Sequence, residues 1–225
     1  MTHIRPIFLA VLLAACGGSS PATSTAAQPS ASSVASPSAS VAVVATAVPT
    51  YSPKAEGFSS KVLVEAPRNL AASTTGLVWI VPGKSSDGSG VSAAVSEKET
   101  FTASYQAPVD RQDADTIRAA YLTPDLPPLA AGQYTESLRL VTVQPGGRSS
   151  AHMHSGIEGV LVLEGRVLIR SGGNAPMFLA PSQGFYILPK VPIQLINAGD
   201  VVARTLVYSI SPAGAPFSTE LDQAP

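Results

Sequence analysis

The sequence predicts an all-β protein built from antiparallel strands, with at most one short helix. Three observations lead there. Short apolar segments recur between Leu138 and Ile210, and Gly, Pro and Asn separate them at near-regular intervals. No long stretch of helical period lies between them. The one helical candidate, Asp115-Thr-Ile-Arg-Ala-Ala-Tyr121, is a single short run that Asp113 or Asp115 can cap and Pro124 can stop. Many short strands at this spacing, without helices between them, argue a sandwich or barrel.

The chain opens with Arg5 as a positive flank, then an apolar run from Pro6 to Ala15 that ends at the only cysteine, Cys16. A span needs about 20 apolar residues, so this run is too short to cross a bilayer and reads as an export signal over residues 1–15. Leu13-Ala14-Ala15-Cys16 resembles the lipobox of bacterial lipoproteins, which implies cleavage before Cys16, acylation of its thiol and attachment to the cell-envelope membrane through the lipid alone. Of 14 Lys and Arg residues the signal removes only Arg5, against 15 Asp and Glu that all remain. The mature chain is therefore slightly acidic. It carries no basic cluster, which argues against nucleic acid and against an electrostatic membrane surface as partners.

Gly17 to Pro53 is almost wholly Ser, Ala, Thr, Pro, Val and Gly and contains no charged residue. Such a composition buries too little apolar surface to offset chain entropy, so residues 16–55 are expected to be a disordered tether. A flexible chain of that length spans roughly 30–35 Å. Residues 56–225 then form one domain. Lys61–Val64, Gly76–Val81 and Phe101–Tyr105 read as strands, and Lys84–Gly90 as a turn or mobile loop. Asp110, Asp113 and Asp115 do not have the spacing of a calcium loop and read as a solvated helix entry.

In the second half the expected strands are Leu138–Val143, Gly159–Leu163, Arg166–Ser171, Met177–Ala180, Phe185–Leu188, Ile193–Ile196 and Ala203–Ile210, with Pro145-Gly-Gly among the separators. His152 and His154 are the only histidines outside the signal and lie two apart. On a strand both rings point to one face. Glu158 follows the turn Ser155-Gly156, and its strand can return beside the first. If Glu158 faces inward with Val160 and Val162, an unpaired buried carboxylate is costly, and a divalent cation or an imidazolium removes the cost. Two His and one carboxylate suit a transition metal such as iron, zinc, manganese or nickel. The alternative is a hydrogen-bonded His–Glu cluster without metal.

Gly146, His152, His154, Glu158 and Gly165 match the first motif of the cupin superfamily at all five fixed positions. The segment Leu138–Pro212 resembles a small single-domain cupin. That resemblance implies a double-stranded β-helix, or jelly roll, with a small-molecule or metal site inside, held by His152, His154 and Glu158. The second motif, usually Pro-x-Gly-x-x-His with an Asn soon after, departs from this pattern. Pro189-Lys-Val-Pro-Ile-Gln194-Leu-Ile-Asn197 is one residue short and has neither the Gly nor the His. The fourth ligand position falls to Gln194 or Ile193, depending on where the gap lies.

Ser149 and Ser150 lack the base and elbow that a serine nucleophile needs. Met153 alternates outward. Arg139 and Arg148 could meet an anion at the barrel mouth but read first as solvated surface. Tyr186 and Tyr208 could line the cavity, and periodicity does not fix their faces. No further general acid or base falls clearly on an interior position. The expected function is an exported, lipid-anchored protein that binds a small molecule, with a divalent metal as cofactor. Its rivals are a metal-dependent enzyme of oxygenase or isomerase type and a metal-free scaffold. A homodimer is left open.

Overall fold

The computed structural model describes residues 52–84, 90–106 and 121–225. The export signal, Cys16, the tether up to Tyr51, most of the Lys84–Gly90 loop, the aspartates at 110–115 and residues 115–120 of the helical candidate lie outside them. Every described element is a strand and every pairing is antiparallel.

Ten strands make the larger sheet: β1 (Glu56–Leu70), β7 (Gly132–Arg148), β8 (His152–His154), β9 (Ile157–Glu164), β10 (Val167–Ser171), β11 (Met177–Leu179), β12 (Gly184–Ile187), β13 (Ile193–Asn197), β14 (Ala203–Pro212) and β15 (Ser218–Glu220). The order β11-β10-β13-β7-β14-β9-β12 curls into a nearly closed barrel, with β1 beside β7 and β8 held between β13 and β15. Five strands make a second sheet: β2 (Thr74–Pro82), β3 (Val91–Ala94), β4 (Thr100–Gln106), β5 (Tyr121–Leu122) and β6 (Leu126–Leu129).

Alternation explains how one sheet serves two cores. Along β7, β9 and β14, Val141, Val143, Val160, Val162 and Val207 enter the barrel interior with Ile193 and Leu195. Their neighbours Leu138, Ile157, Leu161, Leu206, Tyr208 and Ile210 face the other way, against Val78, Ile80, Phe101 and Tyr105 of the second sheet. The second sheet is thus a cover on the barrel's outer face. Gly159 permits the close approach, because a Cβ there would lie 2.8 Å from Val78 Cγ1. A polar clasp also joins the layers: Tyr208 O–H donates to buried Glu136 Oε1 at 2.7 Å, and Ser104 Oγ reaches the same oxygen at 3.5 Å.

Four expectations are corrected. Pro145-Gly146-Gly147 does not end a strand. β7 continues to Arg148, and the β1–β7 register shifts opposite these residues, with Gly146 at φ +72°. The glycines are read as a bulge that turns the strand around the barrel corner. Tyr121 starts strand β5 rather than ending a helix. Order reaches back into the expected tether, for Pro53 O accepts the Ala151 N–H at 2.7 Å and Ser52 O accepts from Gln194 at 2.8 Å. Finally, β3, β6 and β15 are strands the sequence did not disclose. They are three or four residues long, too short for alternation to register.

Candidate metal and ligand site

The His-Met-His run forms β8, with Ile193 of β13 opposite His152 on one side, and Ser218 and Glu220 of β15 opposite His154 and His152 on the other. Ser155 and Gly156 then reverse the chain into β9. Only glycine fits there, since a Cβ on Gly156 would fall 1.9 Å from Ile210 O. This tight turn brings Glu158 back under the histidines. His154 and Glu158 are both buried, at 3% and 5% exposure, and His152 is partly so.

His152 Nδ1 lies 2.7 Å from Ser150 O, and His154 Nδ1 lies 3.0 Å from Phe217 O. Carbonyl oxygens only accept, so each Nδ1 carries the proton and donates it. In the neutral rings both Nε2 atoms are then lone pairs. Those lone pairs meet at 2.9 Å, and Glu158 Oε2 approaches His154 Nε2 at 2.9 Å. Three electron-pair donors in contact repel unless a proton or a cation lies among them.

The titration shifts reflect this. Burial pushes His154 down, but the Glu158 carboxylate more than offsets it, and the net shift is upward. His152 is shifted down, chiefly by burial, against the opposing pull of the Ser150 carbonyl. A proton on His154 would stand in for a cation. It does not satisfy the whole cluster. The His154 Nε2 direction runs toward His152, and buried Glu158 Oε2 keeps no hydrogen-bond partner despite its proximity.

The donor set fits a divalent metal. Backbone carbonyls holding the distal nitrogens are the usual support of metal-ligating imidazoles. Ligands about 2.1 Å from an ion, at angles of 90–109°, lie about 3.0–3.4 Å from one another. The observed 2.9 Å contacts are slightly tighter than that. Among the described residues no group of three or more His, Cys, Asp or Glu side chains stands as a ready-made cage.

Gln194 does not face this space. β13 alternates, so Ile193 and Leu195 line the cavity and Gln194 points away. Its amide donates to Ser149 O at 2.9 Å and Ser52 O at 2.8 Å. It is corrected from candidate fourth ligand to a tie between the barrel wall and the chain that enters it. Ile193 holds the position of the missing histidine. The shortened second motif turns at Lys190, which adopts φ +62° in place of the absent glycine and donates its N–H to His154 O at 2.8 Å.

The cavity has a volume of about 340 Å³. Val160, Ile169, Leu195 and Val207 make its apolar wall, and Arg139 and Glu220 join the His–Glu cluster as charged groups on it. Glu220 corrects the expectation that no further acid or base reaches this space, although it stays exposed at its edge, and Arg139, read first as solvated surface, lines the cavity. Glu220 escaped notice because β15 carries no strand signal. Phe217, beside it, packs edge-on to His154 at 4.7 Å. Ser149 Oγ accepts the Leu195 N–H and donates to Ser150 O, a structural role. Arg148 pairs with Glu56. Tyr208 and Tyr186 belong to the outer core, not the cavity.

The family model described as "Cupin domain" matches residues 139–209. No curated protein matches the chain. Solved structures similar to parts of it include oxalate oxidase in complex with the substrate analogue glycolate, at 21% identity, TM-score 0.35, covering 38% of this chain and 46% of the oxidase. A structure of DMSP lyases matches at 21% identity and TM-score 0.34, covering 38% and 44%. A cupin-like protein from Thermotoga maritima matches at 18% and TM-score 0.36, covering 40% and 77%. The matched part spans less than half of the oxidase and of the lyases.

Proposed function

The chain belongs to the cupin superfamily through its domain at residues 139–209, and from that premise we propose that it binds a small organic molecule with the help of a divalent metal held by His152, His154 and Glu158. The observation that carries this reading is the pair of Nδ1-to-carbonyl hydrogen bonds, which turn the two Nε2 lone pairs toward each other, with His154 Nε2 also 2.9 Å from a buried carboxylate oxygen of Glu158. Bound there, a divalent ion supplies a Lewis acid that polarises an oxygen or nitrogen of the guest. The protein's own contribution is the apolar wall, which excludes water, and a rim that carries Arg139 and Glu220. Export and lipid attachment at Cys16 belong to the same proposal and rest on Leu13-Ala-Ala-Cys16 alone. They would hold the binding domain at the end of a polar tether in the cell envelope.

A metal-dependent enzyme is the second reading, and Glu220 favours it. Its carboxylate sits opposite His152 on the cavity wall, where it could exchange a proton with a bound guest. Titration calorimetry with zinc, manganese and ferrous iron tests the first reading. Wild type should bind at least one, His154→Ala none. Absence of binding for all three at millimolar metal would refute it. Turnover that disappears in Glu220→Gln, with metal binding kept, would move the protein to the second.

A further inference from the structure

We propose that Arg139 anchors the carboxylate of a compact organic acid, whose apolar body fills the remaining cavity. The inference deepens the reading of this cavity as a ligand chamber and rests on it. Arg139 stands on β7 and lines the same space as His154 and Glu158. Its side chain is only 16% exposed, and its Nε is buried without a hydrogen-bond partner. Glu65 approaches at 3.7 Å, but that carboxylate is 53% exposed and beyond hydrogen-bond distance. A guanidinium offers five donors in a fixed fork, matched in shape to a carboxylate, and this one is left largely unmatched.

Phe217 sets its position. The Arg139 guanidinium carbon lies 4.0 Å from the Phe217 ring centre, and the same ring packs against His154. One aromatic side chain therefore spaces the cationic group from the His–Glu cluster within a single chamber. Stacking of this kind orients the guanidinium plane and still leaves the N–H edge able to bind an anion.

The rest of the chamber restricts what that anion can carry. Ser60, Ser150 and Ser218 add neutral hydroxyls but no second cationic group, and Val160, Ile169, Ile193, Leu195 and Val207 offer no donor to a second charge. Desolvating one against them would be costly. Of the groups lining the cavity itself, a divalent ion, Arg139, Glu158 and Glu220 sum to one positive charge, which a monocarboxylate cancels; Glu65 meets Arg139 at 3.7 Å from an adjoining groove, outside this lining. At about 340 Å³ the space is at the small end of ligand pockets. A branched aliphatic or single-ring monocarboxylate fits these terms, and a dicarboxylate or phosphate ester does not.

The test is calorimetry or ligand-observed NMR on the full mature chain, with and without zinc. The probes are 3-methylbutyrate and benzoate, their neutral amides, and succinate. Both monoacids should bind more tightly than their amides and than succinate. Arg139→Met should weaken the acids by roughly 10- to 100-fold, the loss expected for a charge-assisted hydrogen-bonded pair. Arg139→Lys should recover part of that loss, and zinc affinity should be unchanged in both variants. Equal affinity for acid and amide, or unchanged acid binding in an Arg139→Met protein that still melts cooperatively, would overturn the assignment. The two readings separate cleanly. Zinc binding without acid binding sinks only the Arg139 proposal; acid binding that depends on Arg139 without zinc binding sinks only the metal. If Arg139→Met fails to fold, Arg139→Lys with the acid–amide comparison in wild type decides.

Discussion

Replacing Ile193 by His should complete a four-ligand site, and the cost of doing so can be worked from its surroundings. Ile193 is 3% exposed, belongs to the barrel's interior cluster and lies directly opposite His152. Cross-strand partners have Cβ atoms about 4.5–5.5 Å apart, so an imidazole there reaches the His152 Nε2 region. Without metal the change removes a buried isoleucine and introduces a polar ring, a loss of about 2–4 kcal/mol. At about 3 °C per kcal/mol for a domain of this size, melting in chelator should fall by roughly 5–15 °C. Zinc at about 100 times its dissociation constant returns about 2.7 kcal/mol, and each further tenfold in affinity adds about 1.4. Differential scanning in EDTA and in zinc, with calorimetric titration, should therefore show Ile193→His starting lower than wild type and gaining more on zinc addition. Gln194→His is the control. It loses the ties to Ser149 and Ser52 and should gain nothing from zinc. Tighter zinc binding in Gln194→His than in Ile193→His would refute the assigned facing of β13, and no change in either would refute the metal site.

The remaining expectations follow from other parts of the fold. Tyr208→Phe leaves buried Glu136 with little beyond the 3.5 Å contact to Ser104, and should cost about 1–3 kcal/mol in urea unfolding; an unchanged midpoint would show that water enters the layer. Gly156→Ala should force the β8–β9 turn away from Ile210 O and lower both stability and metal affinity; a variant with normal zinc binding would show that the turn does not set the site. For pH, the two histidines act oppositely. His154 is raised, so its contribution is full below the usual value of about 6.5 and is lost as pH climbs through the raised one. His152 is lowered, so its contribution is full above about 6.5 and is lost as pH falls through the lowered one. Metal-free protein should thus be most stable near neutrality on the acid side, and His154→Ala should remove the alkaline decline; a monotonic profile in wild type would contradict the pair. Cys16→Ser should release the protein from membranes in cell fractionation, and a variant that stays bound would point to another anchor.

Much of the site was legible in the chain. Gly146, His152, His154, Glu158 and Gly165 carry their spacing in the sequence, because metal-type donors on one strand face and the glycines around them are local requirements. Seven of the barrel's strands showed for the same reason: alternation and turn residues act within a few positions. The choice between Ile193 and Gln194 was of another kind. A one-residue gap in a strand flips every side chain to the other face. Only the pairing of Ile193 with His152 settles which residue meets the cavity.

The inward turn of Arg139, the arrival of Glu220 and Phe217, and the covering sheet were likewise beyond local pattern. Arg139 looked like surface because a charged residue between Leu138 and Leu140 reads as the solvent-facing position of an alternating strand, and its partner ring lies 78 positions away, just before a three-residue strand. The chain by itself determined the longer strands, the glycines at their turns and bulge, and the His–Glu donor set, since each follows from the period of the backbone and the geometry of a few neighbouring residues. What only the tertiary structure decided was which faces meet: long-range pairing put an isoleucine where a fourth ligand would stand and brought an arginine, a phenylalanine and a second glutamate into the same cavity.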